Sequence, residues 1–220
     1  MQAWLRLMLG SSKYMNQINN QDMYIVALRV LHNQFYHSPT STSLEELEQS
    51  GLLDAWPALG STRVLDKAIT GITASLQRGE PEVIETDYYR LFVGPGPVLA
   101  YPWGSVYTER ENLVCGESTI AFQRFCLEHG VELQPEQVGP TDHFGLMLAI
   151  LAALLEQGND EGVNELLQKH LMPWAPRMLE LVCQHAGTDY YRGFAQLTGQ
   201  LLDCLVNERA LLISQKVLYF

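Results

Sequence analysis

Residues 141–158 read Thr-Asp-His-Phe-Gly-Leu-Met-Leu-Ala-Ile-Leu-Ala-Ala-Leu-Leu-Glu-Gln-Gly, a strongly apolar stretch. Its large apolar side chains recur every three or four residues, at Phe144, Met147, Leu148, Leu151, Leu154 and Leu155. This spacing places them on one face of an α-helix. Thr141 or Asp142 is the predicted N-cap, and Gly158 is the predicted end. Since a helix that crosses a bilayer needs about 20 apolar residues, the stretch predicts a helix buried in a protein core.

The same helical periodicity recurs along most of the chain, whereas the alternation typical of strands is nearly absent. Further helices are predicted over 23–37, from 43 to near 51, and over 62–78, 81–92, 118–130, 160–171, 174–186 and 189–206. Ser43 and Glu46 have the spacing of a capping box, and Ser118 is the predicted N-cap of its helix. Eight or nine helices with short connections predict an all-α helical bundle.

One non-helical stretch, 133–141, is the candidate internal boundary of the chain. It is either a simple turn within a single domain, 15–220, or a hinge between an N-terminal lobe (15–132) and a C-terminal lobe (142–220). A hinge would let two chains exchange lobes, so both a monomer and a domain-swapped dimer are compatible with the sequence. Residues 1–14 are interpreted as an N-terminal extension that precedes a start at Met15.

The charge balance restricts the partners. The chain carries 14 Lys and Arg against 25 Asp and Glu, a formal net charge of -11. Because an acidic surface repels phosphate backbones, nucleic acid is not a predicted partner, whereas a basic peptide is compatible. Acidity also serves solubility, so charge alone does not decide between these roles. The four cysteines form no C-x-x-C pair, which predicts a reducing, cytoplasmic environment.

A loop rich in proline and glycine interrupts the helical pattern. Residues 94–103 read Gly-Pro-Gly-Pro-Val-Leu-Ala-Tyr-Pro-Trp. A phosphate-binding loop needs either Gly-Lys-Ser/Thr or further glycines after a strand, and neither is present. Proline also removes the backbone N–H donors that hold a phosphate. The loop therefore does not predict phosphate binding.

Aromatic residues in and after this loop suggest recognition of another polypeptide. Tyr101, Trp103 and Tyr107 each combine a large apolar face with a polar tip, as residues at protein-recognition hot spots do. Glu109 and Glu111 add negative charge nearby. The alternative is a rigid loop that packs on the helical core, with Trp103 as a buried plug, and composition favours neither reading.

No catalytic or metal-binding pattern stands out. The sequence has no G-x-S-x-G, no H-x-x-x-H and no Cys/His spacing typical of zinc, so no catalytic residue, metal ligand or cofactor is predicted. Asp142-His143 is the one adjacent pair of interest. Asp at a helix N-terminus is favoured by the helix dipole, so the pair indicates a helix start beside an incidental histidine. The alternative is a metal-dependent hydrolase built on these two residues.

Four motifs follow one another in a specific order. They are Tyr88-x-x-Leu91-Phe92, then Pro102-Trp103-Gly104-Ser105-Val106-Tyr107, then Glu111 and Leu113 before Gly116, and finally Pro140-Thr141-Asp142-His143-Phe144-Gly145-Leu146. In this combination the chain resembles the TorD/DmsD family of redox-enzyme maturation chaperones, with the greatest similarity to the DmsD branch. The resemblance covers about residues 23–206.

The resemblance implies an all-α cytoplasmic chaperone. Family members bind the twin-arginine leader peptide and the apoprotein of a molybdopterin-dependent oxidoreductase of the dimethyl-sulfoxide reductase class. They assist cofactor insertion and prevent premature export, with peripheral contact with the export machinery. The implied leader-binding residues are Tyr88, Phe92, Pro102, Trp103, Asp142 and His143, with support from Tyr101, Tyr107, Glu109 and Glu111. A nucleotide-responsive binding protein is a further alternative, which no feature of the sequence supports.

Two positions depart from the family pattern. Tyr88 stands where close relatives often have Trp, and it still supplies an aromatic face. Gly139 stands where Glu is more usual, which leaves one carboxylate fewer beside Asp142. The second departure predicts weaker recognition of arginine.

Overall fold

The structure is a computed structural model that describes residues 20–110, 116–131 and 140–220. Over these ranges the chain forms ten α-helices and two short π-helical turns, and no strand. The helices are α1 Asn20–Tyr36, α2 Ser41–Gln49, α3 Thr62–Gln77, α4 Pro81–Tyr88, α5 Gly104–Thr108, α6 Glu117–Glu128, α7 Phe144–Glu156, α8 Asp160–Glu165, α9 Ala175–His185 and α10 Asp189–Glu208. The π-helical turns Tyr89–Val93 and Leu166–Leu171 continue α4 and α8. The predicted all-α class is confirmed.

The predicted helix positions are largely correct, and the element that they miss is α5. Pro81 lies in the first turn of α4, and Gly158, with φ of 65°, follows the end of α7, both as predicted. α5 has only five residues, which is too short to show an apolar stripe. It lies directly after the loop and becomes central to the candidate site.

The predicted caps of three helices are wrong, and in each case a competing hydrogen bond is the reason. At α2 the capping box joins Thr40 and Ser43, through Ser43 N–H to Thr40 Oγ1 at 3.1 Å and Thr40 N–H to Ser43 Oγ at 2.8 Å. At α6 the N-cap is Gly116 rather than Ser118. At α7 the N-cap is His143, whose Nδ1 accepts the Gly145 N–H at 3.1 Å. α7 therefore begins one or two residues later than predicted.

The core forms where three pairs of helices pack: α7 against α1, α10 against α3, and α10 against α9. α7 is buried on most of its surface, as its apolar sequence predicts. Its first turn approaches α1 closely because Gly145 has no side chain. A Cβ on Gly145 would lie 2.8 Å from Tyr36 Cβ and 2.9 Å from Tyr36 N. This contact sets the relation between the start of α7 and the end of α1.

Two predicted features lie wholly or mainly outside the described residues. The predicted N-terminal extension, residues 1–14, lies wholly outside them. The candidate hinge, 133–141, lies mainly outside them, since the structure describes only its residues 140 and 141. The division at 133–141 into lobes therefore stays a prediction. Within the described ranges, no helix is both long and apolar enough to cross a bilayer.

The C-terminal segment 211–220, called the tail below, has no regular secondary structure and packs back onto the helices. Ser214 N–H donates to the Gln168 carbonyl at 3.0 Å, and Tyr219 N–H donates to the Tyr107 carbonyl at 2.9 Å. The tail thus runs from the end of α10 past the π-helical turn at 166–171 to α5.

Candidate functional site

The loop before α5 and the segment before α7 are joined by main-chain hydrogen bonds. Trp103 and His143 form an isolated antiparallel bridge. Gly104 N–H donates to the Asp142 carbonyl at 3.1 Å, and Phe144 N–H donates to the Pro102 carbonyl at 2.7 Å. Four of the residues singled out in the sequence, Pro102, Trp103, Asp142 and His143, are therefore adjacent in space. Pro102 is buried, and Trp103 is half-buried.

Asp142 is a buried carboxylate with a hydrogen bond on only one of its two oxygens. Its side chain belongs to a residue that is 1% exposed, and its Oδ2 accepts the Ser105 N–H at 2.6 Å. This bond satisfies a free N–H in the first turn of α5. In the described part of the chain, Oδ1 has no hydrogen-bond partner. Since buried polar atoms nearly always have partners, an acceptor left open in this way indicates a site for an incoming donor.

Asp142 borders a small cavity between α5, α7 and the π-helical turn at 166–171. About 10 Å³ is available there to the centre of a water molecule, which is roughly the space for one water. The cavity is lined by Gly104, Thr108, Ser118, Asp142, Met147, His170, Trp174 and Lys216. Lys216 comes from the tail, so the tail forms one wall of this cavity.

His143 is a neutral side chain at this site. Burial, together with the neighbouring His32 and His37, lowers its pKa to about 3. Because Nδ1 accepts the Gly145 N–H, the proton of the neutral ring is on Nε2. His143 thus contributes a neutral aromatic ring rather than a positive charge, which would repel a cationic ligand.

Aromatic rings form a continuous series beside Asp142, which we call the aromatic row. It consists of Tyr36, His143, Trp103 and Tyr101. Neighbouring ring centroids are 4.9 Å apart between Tyr36 and His143, 6.0 Å between His143 and Trp103, and 6.3 Å between Trp103 and Tyr101. His143, Trp103 and Tyr101 are half-buried, so part of the row faces solvent. Such a surface can bind apolar side chains and the face of a guanidinium group.

Comparisons with known proteins identify the family of the chain. The nitrate reductase delta subunit family matches residues 60–180. The Tat proofreading chaperone DmsD of Salmonella typhi is 36% identical over 177 residues, which cover 80% of this chain and 86% of that protein. The chaperone protein TorD of Pasteurella multocida is 26% identical over 149 residues, which cover 66% and 74%. The chain belongs to the DmsD/TorD family of redox-enzyme maturation chaperones.

A solved structure supports the fold. The crystal structure of a protein named as a candidate redox enzyme maturation protein, from Archaeoglobus fulgidus, matches with a TM-score of 0.54 at 16% identity. The match covers 86% of this chain and 99% of that chain.

The named DmsD and TorD relatives are chaperones, so the prediction that this chain is not an enzyme is confirmed by its family. In the described ranges, no group of three or more His, Cys, Asp or Glu residues could hold a metal ion.

Tyr88 and Phe92, two of the positions that the DmsD/TorD resemblance assigns to leader binding, lie behind the aromatic row. Phe92 is 1% exposed and packs edge-on against Phe35, with ring centroids 5.9 Å apart. The Tyr88 hydroxyl donates to the Tyr36 carbonyl at 3.2 Å, and burial raises the pKa of Tyr88 to about 12. Both residues point to the core because they continue the buried face of α4, beside Leu91. They form no aromatic surface here, and their role in binding stays a prediction.

The supporting positions of the family pattern also have defined structural roles. Tyr107 is fully buried, and its ring stacks on Trp174 at 5.4 Å, so it is part of the core. The Glu109 carboxylate accepts both the N–H and the hydroxyl of Ser118 at 2.9 Å, and it thereby supports the start of α6. This bond explains why Ser118 is not a cap. Glu111 lies outside the described residues.

The DmsD/TorD motifs did not indicate two further components of the site. Tyr36 joins the aromatic row from α1, and its spacing of four residues from His32 was the available signal, since the two rings stack 5.1 Å apart. The tail supplies Lys216 and Phe220, whose ring lies 5.4 Å from that of Tyr101. Long-range packing placed the tail, and no local pattern predicts such a position.

Proposed function

We propose that this chain is a system-specific cytoplasmic chaperone that binds the twin-arginine leader and the apo form of a molybdopterin-dependent oxidoreductase. The observation that carries the proposal is the buried Asp142 carboxylate, with one open acceptor oxygen, directly beside the aromatic row. A leader combines guanidinium groups with a following apolar segment. A carboxylate next to a partly exposed aromatic surface suits that combination.

Arginine recognition rests on Asp142 in this proposal. A guanidinium group presents several N–H donors in a fixed plane, and Asp142 Oδ1 is an acceptor without a partner in the described chain. A hydrogen bond between charged groups contributes about 1.5–3 kcal/mol. Because Oδ2 already holds the start of α5, the carboxylate is fixed in orientation before the ligand arrives. The net charge of -11 further attracts a cationic peptide.

The apolar part of the leader is assigned to the aromatic row. Trp103 and Tyr101 retain exposed area, whereas Tyr36 is nearly buried and supports His143 from behind. Rings held by such packing lose little freedom on binding, which favours affinity. Micromolar affinity requires about 8 kcal/mol, which one charge-assisted pair and a buried apolar segment can supply together.

Binding of the leader accounts for the chaperone role. While the leader is held, the export machinery has no free signal to recognise, so the apoenzyme is retained until its cofactor is inserted. The chaperone itself needs no cofactor in this scheme. Contact with the export machinery is peripheral.

The experiment that tests the proposal is calorimetry with a synthetic twin-arginine leader peptide. Trp103→Ala removes the central ring of the aromatic row and is expected to weaken binding at least tenfold, equal to about 1.4 kcal/mol. Trp56→Ala is the matched control, since Trp56 is also half-buried but lies between α2 and α3. Equal affinity of the two variants would contradict the assignment of the leader to this surface. A pull-down from the native host should return one molybdoenzyme precursor as the client.

The two-lobe organisation is a separate part of the proposal. A hinge at 133–141 would allow a monomer to exchange its C-terminal lobe with a second copy. Light scattering at several protein concentrations would show a slowly interconverting dimer in that case. A single monomeric mass at all concentrations would favour one undivided domain.

A further inference from the structure

The tail follows a path across the candidate site. It is held at Ser214 by the Gln168 carbonyl, and at Tyr219 by the Tyr107 carbonyl of α5. Between these points Lys216 forms one wall of the cavity that Asp142 borders. At its end the Phe220 ring contacts both Tyr101 and Tyr107, at centroid distances of 5.4 and 5.5 Å. The tail therefore covers the Tyr101 end of the aromatic row and adjoins the cavity.

The order of residues in the tail corresponds to the order expected of a leader. Residues 216–220 read Lys-Val-Leu-Tyr-Phe, a single cation followed by four apolar residues. Among residues 210–220, Lys216 is the only charged side chain. Lys216 lines the cavity that Asp142 borders, and the Glu109 carboxylate acts on its ammonium group. The apolar end lies against aromatic rings, where the apolar part of a leader would lie.

The tail is held loosely enough to be displaced. Leu212 is 86% exposed and Val217 is 68% exposed, so these apolar side chains gain little from the docked position. Leu218, Tyr219 and Phe220 also remain more than a third exposed. Besides the two main-chain bonds, the Gln168 and Arg177 side chains donate to the Leu212 and Phe220 carbonyls at 3.2 and 3.3 Å. Each of these bonds contributes only about 1 kcal/mol. Because ordering an extended segment costs about 1–2 kcal/mol per residue in backbone entropy, docking is weak.

We infer that the tail is an internal stand-in for the leader, in which Lys216 takes the place of a leader arginine and Phe220 that of a leader apolar residue. Binding of the leader displaces the tail and opens the cavity to the Asp142 carboxylate. The inference rests on the proposed function, since it concerns the same site. It also explains how an arginine reaches a carboxylate that is closed to solvent while the tail is docked.

Two further observations agree with this arrangement. Burial lowers the pKa of Lys216, while the Glu109 carboxylate acts in the opposite direction, so the ammonium group lies against the protein rather than wholly in solvent. Burial, followed by the positive charge of Lys216, lowers the pKa of His170 to about 4. Lys216 thus disfavours the charged form of His170, whereas Glu109 favours a cation at the position of Lys216. A guanidinium group at the same place would be attracted by the same Glu109 carboxylate.

The test compares the affinity of the full chain and of tail variants for a synthetic peptide with two adjacent arginines and an apolar segment. Lys216→Ala/Phe220→Ala removes both contacts of the stand-in while the rest of the chain is unchanged. If the tail is docked about 70–90% of the time, its release tightens the apparent Kd by about three- to tenfold. Calorimetry measures this change directly. Hydrogen exchange at Tyr219 N–H should become faster in the variant, since that amide is bonded only while the tail is docked.

The matched control is Lys67→Ala/Leu212→Ala. It removes one exposed cation from α3 and one apolar side chain that is 86% exposed in the same tail, so the net charge changes equally. The control should leave the Kd unchanged within about twofold. Unchanged or weaker binding by the Lys216/Phe220 variant, with normal leader binding by the unmodified chain, would overturn the stand-in alone. Absence of leader binding in all three proteins would instead overturn the proposed function, and the stand-in with it.

Discussion

Two buried aspartates each join two helices that are distant in sequence, and they differ in how many of their carboxylate oxygens accept hydrogen bonds. Asp87, at the end of α4, accepts four hydrogen bonds. Oδ1 takes Arg90 Nη2 at 2.9 Å and Gly187 N–H at 3.0 Å, while Oδ2 takes the N–H and the hydroxyl of Thr188 at 2.9 and 2.7 Å. Asp142 accepts one bond from Ser105 N–H, and its second oxygen has no partner in the described chain.

Both carboxylates support the start of a helix that lies far away in sequence. Asp87 binds the N-terminal end of α10, and Asp142 binds that of α5. Residue exposure is nearly equal, 3% for Asp87 and 1% for Asp142. The two aspartates are therefore equally buried, and they differ in whether the second carboxylate oxygen accepts a hydrogen bond. A buried carboxylate whose acceptors are all filled serves the fold, whereas one with an open acceptor beside a cavity can also serve a ligand.

The largest expected effect is the loss of stability on removal of Asp87. Asp87→Ala leaves the Gly187 amide and the buried Thr188 amide and hydroxyl without their acceptor, whereas the half-exposed Arg90 keeps the His185 carbonyl. Each buried donor left unsatisfied costs about 1–3 kcal/mol, so a loss of about 2–4 kcal/mol is expected. Urea denaturation should report this decrease in the free energy of unfolding. Glu85→Ala, an exposed carboxylate on the same helix, is the control and should stay within about 0.5 kcal/mol of the parent. A small effect of Asp87→Ala would contradict its structural role.

Acid should destabilise the folded protein through His143, the residue after Asp142. The pKa of His143 is about 3 in the folded protein, below the usual value of 6.5, so the unfolded chain binds more protons between these pH values. The contribution of neutral His143 is thus complete above pH 6.5 and decreases as the pH falls towards 3. Between pH 6.5 and 5 the loss is about 1–2 kcal/mol.

Denaturation curves over that pH range measure this loss. His143→Asn keeps a side-chain acceptor for the start of α7. It should reduce the decrease in the free energy of unfolding between pH 6.5 and 5, which we call the acid limb. His185→Asn, at an exposed position on α9, should leave the limb as it is. An identical acid limb in the parent and in His143→Asn would show that His143 does not cause it.

A smaller effect is expected where only one of the four bonds to Asp87 is removed. Thr188→Val deletes the hydroxyl that donates to Asp87 and caps α10, while both main-chain bonds remain. The expected cost is about 1 kcal/mol. Thr86→Val, at an exposed position, is its control in the same thermal or urea unfolding assay. A cost equal to that of Asp87→Ala would mean that the main-chain bonds contribute nothing.

The smallest change in stability is expected at Asp142 itself. Asn in its place still accepts the Ser105 N–H through its carbonyl oxygen, and no filled acceptor is lost at Oδ1. The free energy of unfolding should therefore change by less than about 1 kcal/mol. A loss as large as that of Asp87→Ala would place Asp142 in the same structural class as Asp87.

The sequence predicted Asp142 and overlooked Asp87. Asp142 belongs to a recognisable motif with His143, whereas Asp87 is satisfied by Gly187 and Thr188, 100 and 101 residues away. No local pattern contains such pairings. The long helices were predictable because their apolar periodicity is local. Their caps were not, because several side chains competed for the same free N–H groups, as at Thr40 and Ser43.

The candidate site was predictable in part for the same reason. Trp103 and His143 carried family motifs, and the structure brings them together through the bridge between their segments. Tyr36 and the tail entered the site through tertiary packing alone. Phe92 shows the converse, since its motif was recognised but its ring is part of the core. A motif therefore identified the right segments without showing which of their side chains face solvent.

The most direct measurement of the central claim is a double-mutant cycle between Asp142 and the arginines of a synthetic leader. Calorimetry would give the affinity of the parent and of Asp142→Asn for the twin-arginine peptide and for the same peptide with both arginines replaced by glutamine. If Asp142 Oδ1 receives a leader guanidinium, the coupling energy should be about 1.5–3 kcal/mol. A coupling below about 0.5 kcal/mol, with the parent still binding the leader, would mean that the open oxygen of Asp142 is not the arginine acceptor.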